Sequence, residues 1–150
     1  VTDACDALIQ LDWYSTRWLI EEYHKCLKTG CALEKRQLEQ ATSLVTLLGF
    51  FAIVAVRLLQ LRSLSRTHPN AKASFFVPKV MLQVLVARLR LSSPELTLAE
   101  FWVAIARLGG FLARKADGLP GWQTLWRGWM RLQDMCWGAD FATQSLQRCW

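Results

Sequence analysis

A run of thirteen residues without a charge, 44–56, constrains the fold of this chain more than any other segment. A helix that spans a bilayer needs about 20 apolar residues, and Arg57 and Arg62 follow this run closely. A shorter apolar run is typical of a helix buried in a protein core. The sequence therefore predicts a folded chain with a core helix over about residues 43–65 and no membrane partner.

Helix signals also dominate the rest of the sequence, and the alternation typical of strands is nearly absent. Thr97 with Glu100 forms a capping box, and Gly109 with Gly110 ends the helix that this box begins. The predicted fold class is all-α. The expected helices cover about residues 2–28, 43–65, 78–91, 97–108 and 121 to beyond 140, with a short helical piece in 32–41.

The last predicted helix carries a wide apolar stripe at helical spacing, which is typical of the core of a small helical domain. This stripe consists of Trp122, Leu125, Trp126, Trp129, Leu132 and Cys136. Further apolar residues follow near the chain end, where little sequence remains to cover them, and exposed apolar surface usually marks a partner. We expect these residues to form a homodimer interface: Met135, Trp137, Phe141, Leu146 and Trp150.

Positive charge is concentrated in the second half of the chain. The net charge is +6, and residues 67–150 hold ten Lys or Arg against five Asp or Glu. This excess suits a polyanionic partner such as DNA, and it equally suits a soluble surface without such a partner.

The five cysteines favour neither a disulfide framework nor a zinc site, because their number is odd and no C-x(2)-C pair occurs. A set of three zinc ligands made by His24, Cys26 and Cys31 is disfavoured for the same reason. With no visible signal peptide, we expect a reducing cytoplasm.

Four polar residues, Tyr14, Arg17, Glu21 and Lys28, lie at spacings of three, four and seven in the first predicted helix. At about 100° per residue they fall within an arc of roughly 60°. A carboxylate flanked by cations and a phenol can hold a metal ion beside a phosphodiester. The alternative is a solvated face with helical ion pairs. The opposite face, expected to be buried, carries Ile9, Leu19, Ile20, Tyr23 and Leu27.

The pattern Y-x(2)-R-x(3)-E-x(6)-K resembles the YREK signature of bacterial cut-and-paste transposases, the DDE enzymes of the insertion-sequence-four, Tn-five-like family. The surrounding RWLIEEYHKCLKTGC also resembles this family, and the likeness continues through FAIVAVRLLQL, IARLGGFLARKADGLPGW and LWRGWMRLQD. The resemblance implies the last helices of a ribonuclease-H-like catalytic core over residues 1–66. It further implies a helical C-terminal dimerisation domain over residues 67–150.

The resemblance also implies roles for the quartet. The family's Glu is the third member of an Asp, Asp, Glu triad, which implies that Glu21 is a catalytic ligand of Mg²⁺ or Mn²⁺ in the full-length parent. Tyr14, Arg17 and Lys28 match positions that contact phosphates of transposon-end DNA. Beside them, Trp18 is either a base-stacking or a half-buried aromatic residue. His24 is expected to form hydrogen bonds rather than bind metal.

The family's two catalytic aspartates lie upstream on strands, whereas Asp3, Asp6 and Asp12 share one predicted helix with Glu21. We therefore expect the chain to be a piece of a longer protein that binds no metal tightly and neither cleaves nor joins DNA by itself. Without the catalytic sheet, the apolar surface of helix 43–65 is expected to be partly uncovered.

The expected function is metal-dependent cleavage and strand transfer at transposon ends by a dimeric parent enzyme, in the bacterial cytoplasm and associated with the nucleoid. The alternative is a non-enzymatic helical interaction module, or a transposase relic that regulates intact enzyme through mixed dimers. A membrane-surface helical protein is a third alternative, which rests on residues 44–56 and the tryptophan content.

Overall fold

The computed structural model describes residues 3–148, with side chains described for residues 3–145. Regular structure within this range is helical, which confirms the predicted all-α fold class, and one isolated bridge joins Lys72 and Thr97. The α-helices are α1 (Ala4–Ser15), α2 (Trp18–Lys25), α3 (Ala41–Thr67), α4 (Lys79–Leu89), α5 (Leu98–Leu108) and α6 (Trp122–Arg148). A π turn covers Cys26–Gly30, and 3₁₀ turns cover Leu33–Lys35 and Ala73–Phe75.

The chain divides into two compact units, residues 1–59 and residues 60–150, and the division falls inside α3. The domain boundary expected from the sequence, between residues 66 and 67, lies at the end of the same helix.

The core of the second unit is built from α4, α5 and α6, and the predicted stripe of α6 is buried from Trp122 to Cys136. Trp102 of α5 meets Trp122 edge-on, with ring centroids 6.5 Å apart, and the guanidinium carbon of Arg62 lies 4.6 Å from the Trp122 ring centroid. Burial of each large apolar side chain stabilises the unit by about 1.5–3 kcal/mol. The least exposed large side chains are Leu61, Leu85, Leu98, Phe101, Ile105, Leu125 and Leu132.

Two glycines, Gly109 and Gly128, lie where α5 crosses α6. A Cβ atom at Gly109 would overlap the carbonyl oxygen of Thr124, and a Cβ atom at Gly128 would overlap the carbonyl oxygen of Ile105. Glycine lacks a Cβ atom, so the backbones of the two helices can come into direct contact at this crossing.

The predicted start and end of α5 are confirmed. The Glu100 N–H donates to Thr97 Oγ1 at 3.2 Å, and the Thr97 N–H donates to Glu100 Oε2 at 2.9 Å, which completes the capping box. These hydrogen bonds, first of all the one from the Thr97 backbone, hold the pKa of Glu100 below its usual value. At the other end, Gly109 is the cap, and Arg131 Nη1 donates a 2.6 Å hydrogen bond to the carbonyl oxygen of Leu108.

The other predicted helices of this unit also form, with small differences in their bounds. Pro78 directly precedes α4, which ends at Leu89 because Arg90 adopts a left-handed conformation with φ of 52°. α6 continues without a break through Gly138 to Arg148. The segment 111–121 is an irregular loop, as its turn residues predict.

The prediction of a single helix over residues 2–28 is wrong, because α1 ends at Ser15 and a second helix, α2, begins at Trp18. Ser15 Oγ donates to the carbonyl oxygen of Asp12 at 2.6 Å, and Thr16 Oγ1 donates to that of Trp13 at 2.7 Å. Hydroxyl groups that bond to the preceding turn compete with the helical hydrogen-bond ladder. Two such residues in succession explain the end of α1.

The apolar face that was expected to be buried in this region is mostly exposed. No residue of α1 or α2 is buried: Ile9, Leu19 and Ile20 are exposed, and Tyr23 is half-buried. Leu27, in the π turn, is buried as predicted. An amphipathic face is buried only where another element covers it, and no element within residues 3–148 covers Ile9, Leu19 and Ile20.

The prediction of a buried core helix is wrong for the first half of α3. Val45, Phe50 and Ile53 are 68%, 65% and 70% exposed, and burial begins on the side of Phe51 and continues to Leu61. This agrees with the expectation of a partly uncovered apolar surface. By length and composition α3 could cross a membrane, and 17% of its apolar window is buried. A single helix of this kind is weak evidence for a membrane span.

Candidate functional site

The quartet predicted to bind phosphate and metal is partly assembled at the junction of α1 and α2. Arg17 Nη2 lies 3.1 Å from Glu21 Oε1, one helical turn away. The guanidinium carbon of Arg17 lies 5.4 Å from the ring centroid of Tyr14. The junction therefore brings a phenol, a cation and a carboxylate into contact.

Lys28, the fourth member, is held elsewhere, because its Nζ lies 3.0 Å from Glu34 Oε1. Lys28 belongs to the π turn Cys26–Gly30, whose wider turn changes the angular position of the residues after α2. The common arc of roughly 60° requires one continuous helix, so that prediction is wrong. Both ion pairs are exposed and each stabilises the fold by at most about 1 kcal/mol, so either cation can exchange its carboxylate for a phosphate.

Aromatic and imidazole groups surround the junction. Trp18 is exposed, and His24 is exposed and meets Tyr23 edge-on, with ring centroids 5.5 Å apart. The roles suggested for Trp18 and His24 stay predictions. Trp13 lines an open depression with Tyr14 and Arg17, although the sequence analysis did not single it out. The feature that could have identified Trp13 is its position directly beside Tyr14, a predicted phosphate contact.

The carboxylate of Glu21 is not part of a complete metal centre. Among residues 3–148, no group of three or more His, Cys, Asp or Glu is placed to hold a metal ion. Asp3 is engaged as the N-cap of α1, where its Oδ1 accepts the Asp6 N–H at 2.7 Å. Because Mg²⁺ demands near-octahedral oxygen ligands, this donor set does not fit the ion by itself, and no metal-dependent step follows from it.

Cys26 and Cys31, at the two ends of the π turn, are fully buried and not disulfide-bonded. A hydrogen bond between the two side chains, together with burial, raises the pKa of Cys31 far above its usual range. Such a thiol is protonated at neutral pH and is a poor nucleophile or metal ligand. The pair therefore belongs to the interior of the first unit.

A second candidate site is a row of exposed apolar side chains on α6, made by Met130, Trp137 and Phe141, which we call the α6 apolar surface. Trp137 and Phe141 are each 73% exposed. At about 100° per residue, the three side chains lie within an arc of about 40°. Trp137 and Phe141 were predicted for the interface, whereas Met130 was not, although its spacing of seven from Trp137 places it on the same face of the helix. Met135 is half-buried, and the Leu146 side chain and Trp150 lie outside the described residues.

An exposed apolar row on a long helix of a packed helical unit is the kind of surface through which helical self-association domains pair. Residues 53–147 match the family model of the Tn5 transposase dimerisation domain. This match covers more than half of the chain, including α4, α5 and the α6 apolar surface, so the chain belongs to that family. The predicted origin in the C-terminal part of a Tn5-like transposase is confirmed at this level.

Proposed function

We propose that this chain is the C-terminal portion of a cut-and-paste DNA transposase of the YREK type, in the insertion-sequence-four family, and that it pairs as a homodimer. The match of residues 53–147 to the Tn5 transposase dimerisation domain carries the proposal. The full-length parent would cleave transposon ends and join them to new DNA. It would do so in the bacterial cytoplasm, in association with the nucleoid.

The α6 apolar surface is the proposed contact between the two copies. Trp137 and Phe141 present large apolar side chains to solvent, and burial of each against a partner would stabilise the dimer by about 1.5–3 kcal/mol. In a two-fold homodimer the same surface must face itself, and a straight row on one helix meets this requirement by pairing with α6 of a second copy.

The α1–α2 junction is the proposed phosphate-binding part. Arg17 would exchange Glu21 for a phosphate oxygen, Tyr14 would donate a hydrogen bond, and Lys28 would exchange Glu34 in the same way. The exposure of both ion pairs supports this exchange, because little stability is lost when they open. Release from Arg17 would leave the Glu21 carboxylate as one ligand for Mg²⁺ or Mn²⁺ in the full-length parent.

Sedimentation of the 150-residue chain tests the dimer. The double variant Trp137→Ala with Phe141→Ala should convert a concentration-dependent dimer into a monomer with an unchanged helical circular dichroism spectrum. Phe75→Ala with Leu119→Ala is the matched control, because these side chains are 78% and 74% exposed in the same unit but lie outside the α6 apolar surface. A monomeric wild type, or equal dissociation in both double variants, contradicts the proposal.

The alternative function is a non-enzymatic interaction module that regulates intact transposase through mixed dimers. The pairing of Arg17 with Glu21 and of Lys28 with Glu34 favours it, because a solvated charged face forms such pairs without any ligand. Addition of the chain to a full-length enzyme separates the two functions. Inhibition that is lost in the Trp137 and Phe141 double variant would support the regulator.

A further inference from the structure

Two buried thiols meet across the π turn of the first unit. Cys26 begins this turn and Cys31 follows its last residue, and both side chains are 0% exposed. The two side chains hydrogen-bond to each other, and the Cys31 N–H donates to the Cys26 carbonyl oxygen at 3.1 Å. A side-chain contact and a backbone contact therefore join the same two residues.

The π turn is the reason that these two residues can meet. In an α-helix, residues five positions apart have Cα atoms about 8.6 Å apart. A disulfide needs Cα atoms about 4.4–6.8 Å apart, so it cannot join such a pair in an α-helix. A π turn instead closes its backbone hydrogen bond between residues five positions apart. The spacing of Cys26 and Cys31 thus becomes compatible with a disulfide only because the chain leaves the α-helical path after α2.

A buried cysteine ordinarily fills space as a small apolar side chain. That role needs no second sulfur in contact with the first, whereas Cys26 and Cys31 form a thiol pair. Both are free thiols in this structure. This state agrees with a reducing compartment, where a disulfide that forms between neighbouring thiols is transient and reports oxidation.

We propose that Cys26 and Cys31 are a reversible oxidation site, at which a peroxide converts the two thiols into a disulfide that fixes the π turn. One thiol gives up its proton and its sulfur attacks hydrogen peroxide, so that an S–O bond forms, the O–O bond breaks and hydroxide leaves to take up that proton. The second sulfur then attacks the sulfenic acid, the S–S bond forms, and water leaves with the second proton. Two thiols and one peroxide thus give one disulfide and two waters, and a dithiol reductant reverses the change.

The disulfide would exclude an α-helical conformation of residues 26–31, because that conformation separates the two Cα atoms too widely. Lys28 lies inside the closed ring of residues 26–31 and would keep its position beside Glu34. The inference does not depend on the proposed function, since it uses contacts of the first unit alone.

Peptide mapping of the folded 150-residue chain tests the proposal. The chain is treated with a small excess of hydrogen peroxide, its remaining thiols are alkylated, and trypsin then cuts after Lys25, Lys28 and Lys35. This digestion places Cys26 in peptide 26–28 and Cys31 in peptide 29–35. We expect mass spectrometry to find the two peptides linked, two hydrogen atoms lighter than their sum, and separate again after treatment with dithiothreitol.

Two variants sharpen the test. Cys26→Ser should abolish the linked species and leave the Cys31 sulfenic acid to be trapped by dimedone, a trap that finds little to react with in the wild type. Cys136→Ser is the matched control, because it removes a different buried thiol, on α6, and should leave the yield of linked peptide unchanged. Circular dichroism checks that both variants stay folded, and the wild-type result stands without them.

A fixed turn should also resist protease. In the folded chain, tryptic cleavage after Lys28 should be about ten-fold slower in the oxidised form than in the reduced form, because cleavage requires the turn to unfold locally. Cleavage after Lys115, in the exposed loop of the second unit, is the internal control and should not change. Equal cleavage after Lys28 in both forms would show that the disulfide does not fix the turn.

Three results of the peptide mapping would overturn the proposal. In the first, Cys26 and Cys31 stay reduced while exposed Cys5 is oxidised, which would make the pair ordinary core residues. In the second, the two thiols are linked mainly to other cysteines or oxidised separately to sulfinic acids. In the third, the urea-unfolded chain gives the same yield of linked peptide, which would mean that closeness in the sequence directs the bond rather than the folded π turn.

Discussion

Gly109 and Gly128 lie against each other across the α5–α6 crossing, and neither position has room for a single additional carbon atom. The atoms that fill this space are backbone atoms of the opposite helix, including the carbonyl oxygens of Thr124 and Ile105. Unlike a flexible side chain, a backbone carbonyl cannot rotate away. Packing of the second unit therefore requires glycine at both positions, in addition to the buried tryptophans.

Gly128→Ala should lower the free energy of unfolding by about 3 kcal/mol, because the added methyl group forces the two helices apart. Gly138→Ala is the control in the same helix, since a Cβ atom there meets nothing within 4 Å. The control should gain about 0.5–1 kcal/mol from the better helix propensity of Ala. Urea unfolding at one protein concentration measures both variants. Similar losses in the two would show that the crossing is not tight.

Thr97→Ala should lower the free energy of unfolding by about 1 kcal/mol at pH 7, because α5 loses its N-cap. The partner residue Glu100 adds a pH dependence. Its folded pKa is depressed, so its stabilisation is present above the unfolded pKa of about 4.3 and is lost as the pH falls through the lower folded value. Glu100→Gln should therefore destabilise at pH 7 and have little effect near pH 2.5. Equal destabilisation at both pH values, measured by urea unfolding, would rule out the carboxylate as the cause.

Arg131→Met should lower the free energy of unfolding by about 1–3 kcal/mol, because the carbonyl oxygen of Leu108 loses its side-chain donor while the apolar stem is kept. Arg127→Met is the matched control one turn earlier, where the side chain is exposed, and should change stability by less than about 0.5 kcal/mol. Thermal unfolding followed by circular dichroism compares them. Equal melting temperatures for both variants and the wild type would show that this hydrogen bond does not stabilise the fold.

Within a full-length parent, Glu21→Gln should abolish cleavage of transposon-end DNA and leave binding intact, because the carboxylate is proposed to serve the metal. Arg17→Gln and Lys28→Gln should instead weaken binding and lower the salt slope by about one each. Lys25→Gln is the control, since Lys25 lies on α2 and pairs only loosely with Glu22, at 3.9 Å. Gel-shift and cleavage assays measure the two properties. Equal binding losses in the Glu21, Arg17 and Lys28 variants would indicate a purely structural face.

Local signals in the sequence predicted the second unit well. The capping box joins Thr97 and Glu100, which are three positions apart, so residues close in the sequence are sufficient to predict it. Helical periodicity alone predicts the stripe from Trp122 to Cys136. Its burial can be predicted without knowing which helix covers it. Family resemblance led to the dimerisation domain, which the match of residues 53–147 supports independently.

Features that depend on distant residues, or on hydroxyl side chains, could not be predicted from the pattern. The break after Ser15 arises from side-chain hydrogen bonds that leave hydrophobic periodicity unchanged. Exposure of Phe50 and Ile53 depends on whether another element covers α3, which no local signal reports. Gly109 could be identified as a helix end, but its second role requires Gly128, nineteen positions further along the chain.

The reaction rate of the buried thiols of Cys26 and Cys31 can report how often the π turn opens. An aqueous thiol reagent reaches them only when this turn opens, so the modification rate measures the free energy of local opening around Lys28. Exposed Cys5 reacts without such opening and supplies an internal reference in the same unit. Any anion that engages Lys28 and stiffens the turn would slow the reaction of the buried pair while leaving Cys5 unchanged.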